Sequence, residues 1–257
     1  MTVIRLNRQK SIGRVVFVVE GGKNEFNLLR RIFCDILQYE YLEKRRSKLD
    51  WFQSPNVSTS KVAVVNTQES HISYIRDHEH YLDDVFRTLI EQYQFPVDQS
   101  AIYYLFDRAP KSNVQKELLQ DLLEELQNPY ENADGLRGGL LLLSYPSIES
   151  YQVSCFIPNS HLLSFSLGAD IKSFVGDNSQ IQLNKISEES LMCAAEVMLA
   201  YYKEHDLDYT FDDHGWPNNK IFAKQEACFA ATGAYRLLSL LSVAFLQLGI
   251  LEIVEDG

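Results

Sequence analysis

Four short runs of apolar residues, each long enough for one β-strand, alternate with helix-patterned segments in the first 150 residues of the chain. The runs are rich in β-branched and aromatic side chains and have no polar face, which is typical of strands buried on both sides of a parallel sheet. They are Arg14–Val19, Val62–Val65, Ala101–Phe106 and Gly139–Ser144. Strands that alternate with helices predict an α/β domain with a mainly parallel, four-stranded sheet over residues 12–155.

The remaining residues, 156–257, have a different pattern, which predicts a mainly helical C-terminal region. Ser187–Glu204 begins with a capping signal, and Ile221–Leu248 carries apolar residues on several sides, as buried helices do. The apolar residues of Leu237–Leu251 cover too much of a helix for one stripe. We therefore expect one face of this helix to pack on the α/β domain and another to form a homo-oligomer or bind a second subunit. The alternative is a helix enclosed within one chain.

Composition excludes several classes of protein. With 46% apolar and 23% charged residues, the chain is neither disordered nor fibrous in character. Its longest apolar run, Leu237–Leu251, is shorter than the roughly 20 residues of a membrane-spanning helix, and the first residues lack the apolar core of a secretory signal. The four cysteines form no CxxC pair, so neither a disulfide framework nor a zinc site is expected. These features predict a cytoplasmic protein without a membrane segment.

The net charge of −11 is unevenly distributed. Residues 1–48 contain 11 Lys and Arg against 5 Asp and Glu, a balance of +6, whereas residues 49–257 contain 13 against 30, a balance of −17. Only the first part is suited to a polyanion such as nucleic acid. The candidate phosphate contacts there are Arg30, Arg31, Lys44, Arg45, Arg46 and Lys48. The alternative is that the cluster at 44–48 is the solvated end of a helix.

Three of the predicted strands lead into an acidic residue. Glu20 directly follows the first strand, Asp107 directly follows the third, and Glu149 comes five residues after the fourth. Ligands of open parallel sheets bind at the carboxyl ends of the strands, so we expect these acids to converge. Clustered carboxylates repel one another unless a cation lies between them, and their oxygens suit Mg²⁺ or Mn²⁺. Each acid taken singly is also explained as a helix cap or a first-turn charge.

The same three positions resemble the motifs of the Toprim domain. Val16–Glu25 is similar to its first motif, in which a glutamate ends strand 1 before a glycine and a helix, and Ala101–Asp107 is similar to its second. Ser144–Tyr151 resembles the Asn-Pro-x-Phe-Glu-x-Trp segment of RloB-like Toprim proteins from bacterial defence loci. The resemblance implies a Toprim-like, Rossmann-like fold over residues 14–155.

It also implies a function. Toprim nucleases of this kind cleave DNA or RNA phosphodiesters with Mg²⁺ or Mn²⁺, so the chain is expected to be the endonuclease subunit of a two-component antiphage system with an ABC-type ATPase partner. In that arrangement Asp107 holds the metal, Glu149 completes its ligands, and Glu20 is a general base or an outer ligand. Arg108 contacts a phosphate or forms an ion pair. A primase or topoisomerase is a weaker alternative, since the chain has neither a zinc ribbon nor room for strand passage.

One position departs from the Toprim pattern. Toprim domains usually carry Asp-x-Asp at the second motif, whereas this chain has Asp107, Arg108 and Ala109. Glu149, Glu25 or Asp77 are candidates for the missing charge. The departure also leaves open a second function, that of a catalytically inactive binding or regulatory subunit.

Overall fold

The computed structural model describes residues 2–21, 23–44, 49–66, 78–92, 94, 97, 99–109, 115–131, 138–209 and 217–255. Its strands are β1 Thr2–Leu6, β2 Arg14–Val19, β3 Glu40–Lys44, β4 Leu49–Gln53, β5 Lys61–Val65, β6 Ser100–Asp107, β7 Gln127–Asn128, β8 Gly139–Tyr145, β9 Ser164–Phe165, β10 Tyr235–Arg236, β11 Leu238–Ser239 and β12 Leu251–Glu255. Its α-helices are α1 Asn24–Arg30, α2 His78–Arg87, α3 Lys116–Glu125, α4 Glu149–Ser154, α5 Gly168–Asp177, α6 Glu188–Glu204, α7 Asn218–Thr232 and α8 Leu241–Gln247. Segments of π-helix, Arg31–Ile36 and Thr88–Gln92, continue α1 and α2. Two short 3₁₀ turns are Ser160–Leu162 and Leu183–Lys185.

The chain forms two compact units. The N-terminal unit comprises Ser11–Phe106 and Ser112–Leu141, and the C-terminal unit comprises Met1–Lys10, Asp107–Lys111 and Leu142–Gly257. The sequence-based division put residues 142–155 with the α/β domain, whereas here they group with the C-terminal unit. The chain therefore crosses between the units just where β6 ends and again within β8.

The sheet of the N-terminal unit is built around β2. This strand pairs in parallel with β5 and with β6, so that Val16 lies opposite Ala63 on one side and Ile102 on the other. Beyond β5 come β4 and then β3, each antiparallel to its neighbour, and beyond β6 comes β8 with β7 alongside. The class is α/β, and the four predicted strands are present as β2, β5, β6 and β8.

The predicted number of strands is wrong. Among the described residues eight strands belong to this sheet, counting β11, which pairs with the end of β8 in the C-terminal unit. The additional strands have charged residues in them or are only two residues long, so they lack the apolar runs that mark a buried strand. The sheet is mixed and largely parallel rather than a set of four parallel strands.

Aromatic side chains pack on the centre of this sheet. The ring of Phe17 lies 5.9 Å from that of Phe33 and 5.5 Å from that of Tyr103, measured between centroids. Phe33, in the π-helical continuation of α1, also stacks on Phe52 of β4 at 6.1 Å. All four rings are fully buried. This cluster fixes α1 against β2, β4 and β6, and with it the turn that follows β2.

The C-terminal unit is mainly helical, with small sheets. β1 and β12 form an antiparallel pair in which Thr2 lies opposite Glu255. The longest helix, α6, contacts α4, α8 and β1, and it begins at Ser187, whose hydroxyl accepts the N–H of Ser190. This confirms the capping signal predicted there. Val153, Ile171, Ile181 and Leu237 form a buried apolar core.

The long helix predicted over Ile221–Leu248 is wrong. α7 ends at Thr232, Gly233 adopts a left-handed conformation with φ of 75°, and two short strands separate it from α8. The apolar side chains that were expected to be divided between an inward and an outward face are all buried in the chain itself: Leu237, Leu238, Leu240, Leu241, Val243, Phe245, Leu246, Leu248, Ile250 and Leu251. They form an internal core, so a homo-oligomer through these residues has no exposed apolar face to use. None of the helices in the described ranges combines the length and apolar character needed to cross a membrane.

Candidate functional site

Asp107, the last residue of β6, is held by the turn that leads into α4. One of its carboxylate oxygens, Oδ1, accepts the backbone N–H of Ile148 at 2.8 Å. Ile148 immediately precedes Glu149, the first residue of α4. This bond ties the end of β6 to the start of α4 within the C-terminal unit, so that Asp107 is bound to the residue that precedes Glu149.

Glu149 is a nearly buried carboxylate with a hydroxyl donor at one oxygen and a cation near the other. The hydroxyl of Ser147 donates to Oε2 at 2.6 Å, and the ammonium of Lys172 on α5 lies 3.8 Å from Oε1. Glu149 is 5% exposed, whereas the side chain of Lys172 is 56% exposed. A carboxylate with a hydroxyl donor on one oxygen and a cation near the other is held in one orientation. Only the ammonium side of this group reaches solvent.

Glu20 follows β2 in the N-terminal unit. Its backbone N–H donates to the carbonyl of Leu105 at 3.3 Å, and its own carbonyl accepts from the side-chain amide of Asn66 at 3.0 Å. The parallel pairing of β2 with β6 ends at Val19 opposite Leu105, so these two strands end within two residues of each other along the sheet. The prediction that Glu20 shares a site with Asp107 and Glu149 stays a prediction.

Glu25 fills the turn after Glu20. Its side chain is buried in the first turn of α1, and a Cβ atom added to Gly21 would overlap its carboxylate oxygens. Position 21 therefore accepts only glycine while Glu25 keeps this orientation. A second carboxylate thus lies in the turn that follows β2. Asp77, the other residue considered for the charge missing at Ala109, lies outside the described residues.

Arg108 is buried and bound to a carboxylate. Its Nε and one terminal nitrogen donate to Glu226 of α7 at 2.8 and 3.1 Å, and Arg108 itself is 5% exposed. Tyr235 donates its hydroxyl to the same carboxylate at 2.9 Å. Burial raises the pKa of Tyr235, so this hydroxyl stays protonated. Of the two roles considered for Arg108, the structure has the ion pair.

The other basic residues named from the sequence divide into two groups. Arg30 donates to the fully buried Asp50 at 3.0 Å, and Arg31 pairs with Asp35 at 3.0 Å. The other four basic residues lie at the end of β3 and in the segment that joins it to β4. Of these four, the structure describes only the backbone of Lys44. They are Lys44, whose backbone ends β3, and Arg45, Arg46 and Lys48, which lie outside the described residues. Lys44 ends a strand that pairs with β4, so the alternative of a helix end is wrong for this residue, the one member of the cluster that the structure describes.

Whether a metal ion fits this region depends on the carboxylate oxygens of the C-terminal unit that could bind it. Asp107 and Glu149 are hard oxygen ligands of the kind Mg²⁺ and Mn²⁺ prefer, and each accepts a hydrogen bond that fixes its carboxylate. Supporting hydrogen bonds of this kind are usual around metal-ligating carboxylates. Within the part of the chain that the structure describes, however, no three His, Cys, Asp or Glu side chains form a ready metal-binding group. The carboxylates of these two residues and the hydrogen bonds that hold them are suited to a metal ion. They do not by themselves form a complete set of ligands.

Three residues of this region were missed from the sequence. Ser147 lies inside the recognised Ser144–Tyr151 segment, so its place beside Glu149 was available as a signal. Lys172 belongs to a stretch of low regularity, and Glu226 is 118 residues from Arg108. No local pattern marks either of them, because each acts through a partner distant in the chain.

No protein-family model, curated protein or solved structure matches the chain.

Proposed function

We propose that the protein is a Toprim-like, metal-dependent nuclease that cleaves DNA or RNA. The observation that supports the proposal is the bond between Ile148 N–H and Asp107 Oδ1, which joins the end of β6 to the residue before Glu149. Two oriented carboxylates at the carboxyl end of a sheet are what phosphodiester cleavage with a divalent cation needs. The motif order along the sequence supports the same function.

Each residue has a separate task in this proposal. Asp107 and Glu149 hold Mg²⁺ or Mn²⁺, and Glu20 is a general base or an outer ligand. When bound, the metal supplies a Lewis acid for the phosphate and charge stabilisation for the leaving oxygen. Ile148 and Ser147 fix the two carboxylates, and Lys172 sets a positive charge beside Glu149 at the solvent side.

The distribution of charge along the chain indicates which residues would contact the substrate and why a partner would be needed. The chain as a whole carries −11, and its positive balance is confined to residues 1–48. We assign nucleic-acid contact to the basic residues there, with Arg31 and the segment that joins β3 to β4 as the main contributors. A protein of this charge needs help to hold a polyanion at ordinary salt. An ABC-type ATPase, as the second component of an antiphage system, would supply it.

Cleavage assays test the proposal directly. Labelled single- and double-stranded DNA and RNA are incubated with the protein, alone and with any ABC-type ATPase found to be encoded beside it, in Mg²⁺, Mn²⁺ or EDTA. We expect metal-dependent cleavage that Asp107→Asn lowers by at least about a hundredfold, the scale of losing one oriented charge in an active site. Asp177→Asn, the same change at an exposed position on α5, is the control and should cleave normally. Equal cleavage by both variants would remove Asp107 from the mechanism.

Two observations favour a second candidate, a catalytically inactive binding or regulatory subunit. Ala109 stands where a second acid is usual, and the Lys172 ammonium lies near one oxygen of Glu149, as a metal would. In this case the protein binds nucleic acid or the ATPase, and no metal produces cleavage. Electrophoretic mobility shifts measured on the same samples separate the candidates, because binding without cleavage under every metal condition supports the second.

A further inference from the structure

The Arg108–Glu226 pair lies next to a residue of the proposed metal site. Glu226 accepts from two nitrogens of the guanidinium, and the rings of Phe222 and Tyr235 flank the guanidinium carbon at 5.8 and 5.7 Å. The side chains of Arg108 and Glu226 are 6% and 10% exposed. A charge so enclosed is screened poorly by solvent, so its effect on neighbouring charges is larger than that of a surface arginine.

Asp107 and Arg108 are consecutive but have different partners. Asp107 ends β6 and binds the backbone of Ile148, whereas the side chain of Arg108 binds α7. The backbone N–H of Arg108 donates to the carbonyl of Ser144 at 2.8 Å, which fixes this point of the chain to β8. A permanent positive charge is therefore built into the position adjacent to the candidate metal ligand. A divalent cation bound at Asp107 would be repelled by it unless it is neutralised.

We propose that Glu226 is a positioning residue of the site, which neutralises the Arg108 guanidinium so that a divalent cation can bind at Asp107. The inference rests on the proposed function and adds to it a residue from the other end of the chain. Tyr235 supports the task by donating to Glu226 and flanking Arg108.

Mn²⁺ binding measured by calorimetry, without substrate, tests the inference on the full chain. Glu226→Gln keeps the size of the side chain and removes the charge that opposes Arg108. We expect Mn²⁺ affinity to fall about tenfold or more, because the guanidinium of the neighbouring residue, without its counter-charge, then repels a divalent ion at Asp107 at the effective dielectric of a protein. The matched control is Glu204→Gln, which removes the acid from the Arg236–Glu204 pair of the same unit and should leave Mn²⁺ affinity within about twofold.

The double variant Arg108→Met/Glu226→Gln separates charge from structure. It removes both members of the pair, so Mn²⁺ affinity should return to within about twofold of the wild type, as expected when a buried pair is replaced together. If Glu226→Gln fails to fold, as judged by circular dichroism, Arg108→Gln replaces it: this variant leaves the Glu226 carboxylate in excess and should bind Mn²⁺ more tightly than the wild type, and an unchanged affinity overturns the inference. A double variant that folds and binds Mn²⁺ tenfold more weakly than wild type overturns the inference, as does a folded Glu226→Gln that binds normally.

The KM for Mg²⁺ and the kcat of cleavage give a second readout. Glu226→Gln should raise the Mg²⁺ requirement more than it lowers kcat at saturating metal, whereas a merely structural role would lower the fraction of active protein and leave the Mg²⁺ requirement unchanged. Wild-type protein that binds no Mn²⁺ and cleaves nothing overturns the proposed function and this inference with it. Wild-type protein that binds and cleaves, together with an unchanged Glu226→Gln, overturns the inference alone.

Discussion

Each unit of the molecule contains a triad of arginine, tyrosine and carboxylate with the same internal contacts. In the N-terminal unit, Arg30 and Tyr41 both donate to Asp50, at 3.0 and 2.6 Å, and the guanidinium lies 5.2 Å from the tyrosine ring. In the C-terminal unit, Arg108 and Tyr235 both donate to Glu226, at 2.8 and 2.9 Å.

The two triads differ in how completely they are closed. Glu226 binds two nitrogens of Arg108; the side chains of Arg108 and Glu226 are 6% and 10% exposed, and Tyr235 is fully buried. Asp50 binds one nitrogen of Arg30, whose side chain is 32% exposed, and the Nε of Arg30 is buried with no acceptor among the described residues. The comparison teaches that the same three residue types can form two different arrangements. In one the ion pair is enclosed and neutral, and in the other the carboxylate is buried while its arginine partner still reaches water.

The largest expected effect comes from opening the closed triad. Glu226→Ala leaves the buried guanidinium of Arg108 without its counter-charge, which costs about 3–5 kcal/mol for a buried pair broken on one side. Urea unfolding followed by far-ultraviolet circular dichroism measures this loss. Adding Arg108→Met should recover most of it, because both charges are then gone. A loss below about 1 kcal/mol, the level of an exposed pair, would contradict the closed description.

A smaller effect is expected from the matching change in the open triad. Asp50→Asn removes the acid but leaves a guanidinium that already reaches water, so we expect a loss of about 1–3 kcal/mol, the cost of a hydrogen-bonded polar group left unsatisfied. The reciprocal change, Arg30→Met, should cost more than Asp50→Asn, because it strands a carboxylate that is fully buried. Urea unfolding of both variants gives the order. Equal losses would remove the distinction between the triads.

The triads also show what the sequence could and could not predict. The four apolar runs predicted β2, β5, β6 and β8 because buried parallel strands carry a local signal. The pattern failed for β4, Leu49–Gln53, because Asp50 interrupts it, and that carboxylate is acceptable in a strand only through Arg30 and Tyr41. Charged side chains likewise hid the edge strand β3, Glu40–Lys44.

The same limit applies to the candidate site and to the C-terminal unit. Acids at or shortly after the end of a predicted strand are visible locally, so the sequence could name Asp107 and Glu149 as candidates. Glu226 was not found, because its partner is 118 residues away and nothing in α7 marks it. The apolar residues of Leu237–Leu251 are buried on every side, and burial without a polar face gives no period from which to tell a helix from short strands.

The smallest expected effect concerns a third arginine–glutamate pair, which is more exposed than either triad and has a titrating neighbour. Arg236 donates to both oxygens of Glu204, at 3.0 and 3.1 Å, and also to the carbonyl of His161 at 2.9 Å. His161 is nearly buried, its Nε2 lies 3.5 Å from Glu204, and its Nδ1 is buried without a partner among the described residues. The imidazole is therefore a candidate for pH-dependent stability.

Burial lowers the pKa of His161 below its ordinary value, with Arg236 and His205 adding to the shift and Glu204 opposing it. Burial also lowers the pKa of His205, which faces Glu204, Lys224, Arg236 and Asp206. The unfolded chain therefore binds protons at these residues before the folded chain does. Their contribution to stability is fully present above the ordinary histidine pKa of about 6.5 and is lost as the pH falls through the lowered folded values.

Urea unfolding between neutral and mildly acidic pH should thus show a decline that begins near pH 6.5, the ordinary histidine pKa. His161→Gln keeps a buried polar side chain but cannot titrate, so the variant should decline less steeply over this range while His205 continues to contribute. The slope difference reports the number of protons that distinguish the unfolded from the folded state. Glu204→Gln should make the decline steeper, because Glu204 is the group that holds the pKa of His161 up. An identical slope in all three proteins would show that His161 titrates alike in both states.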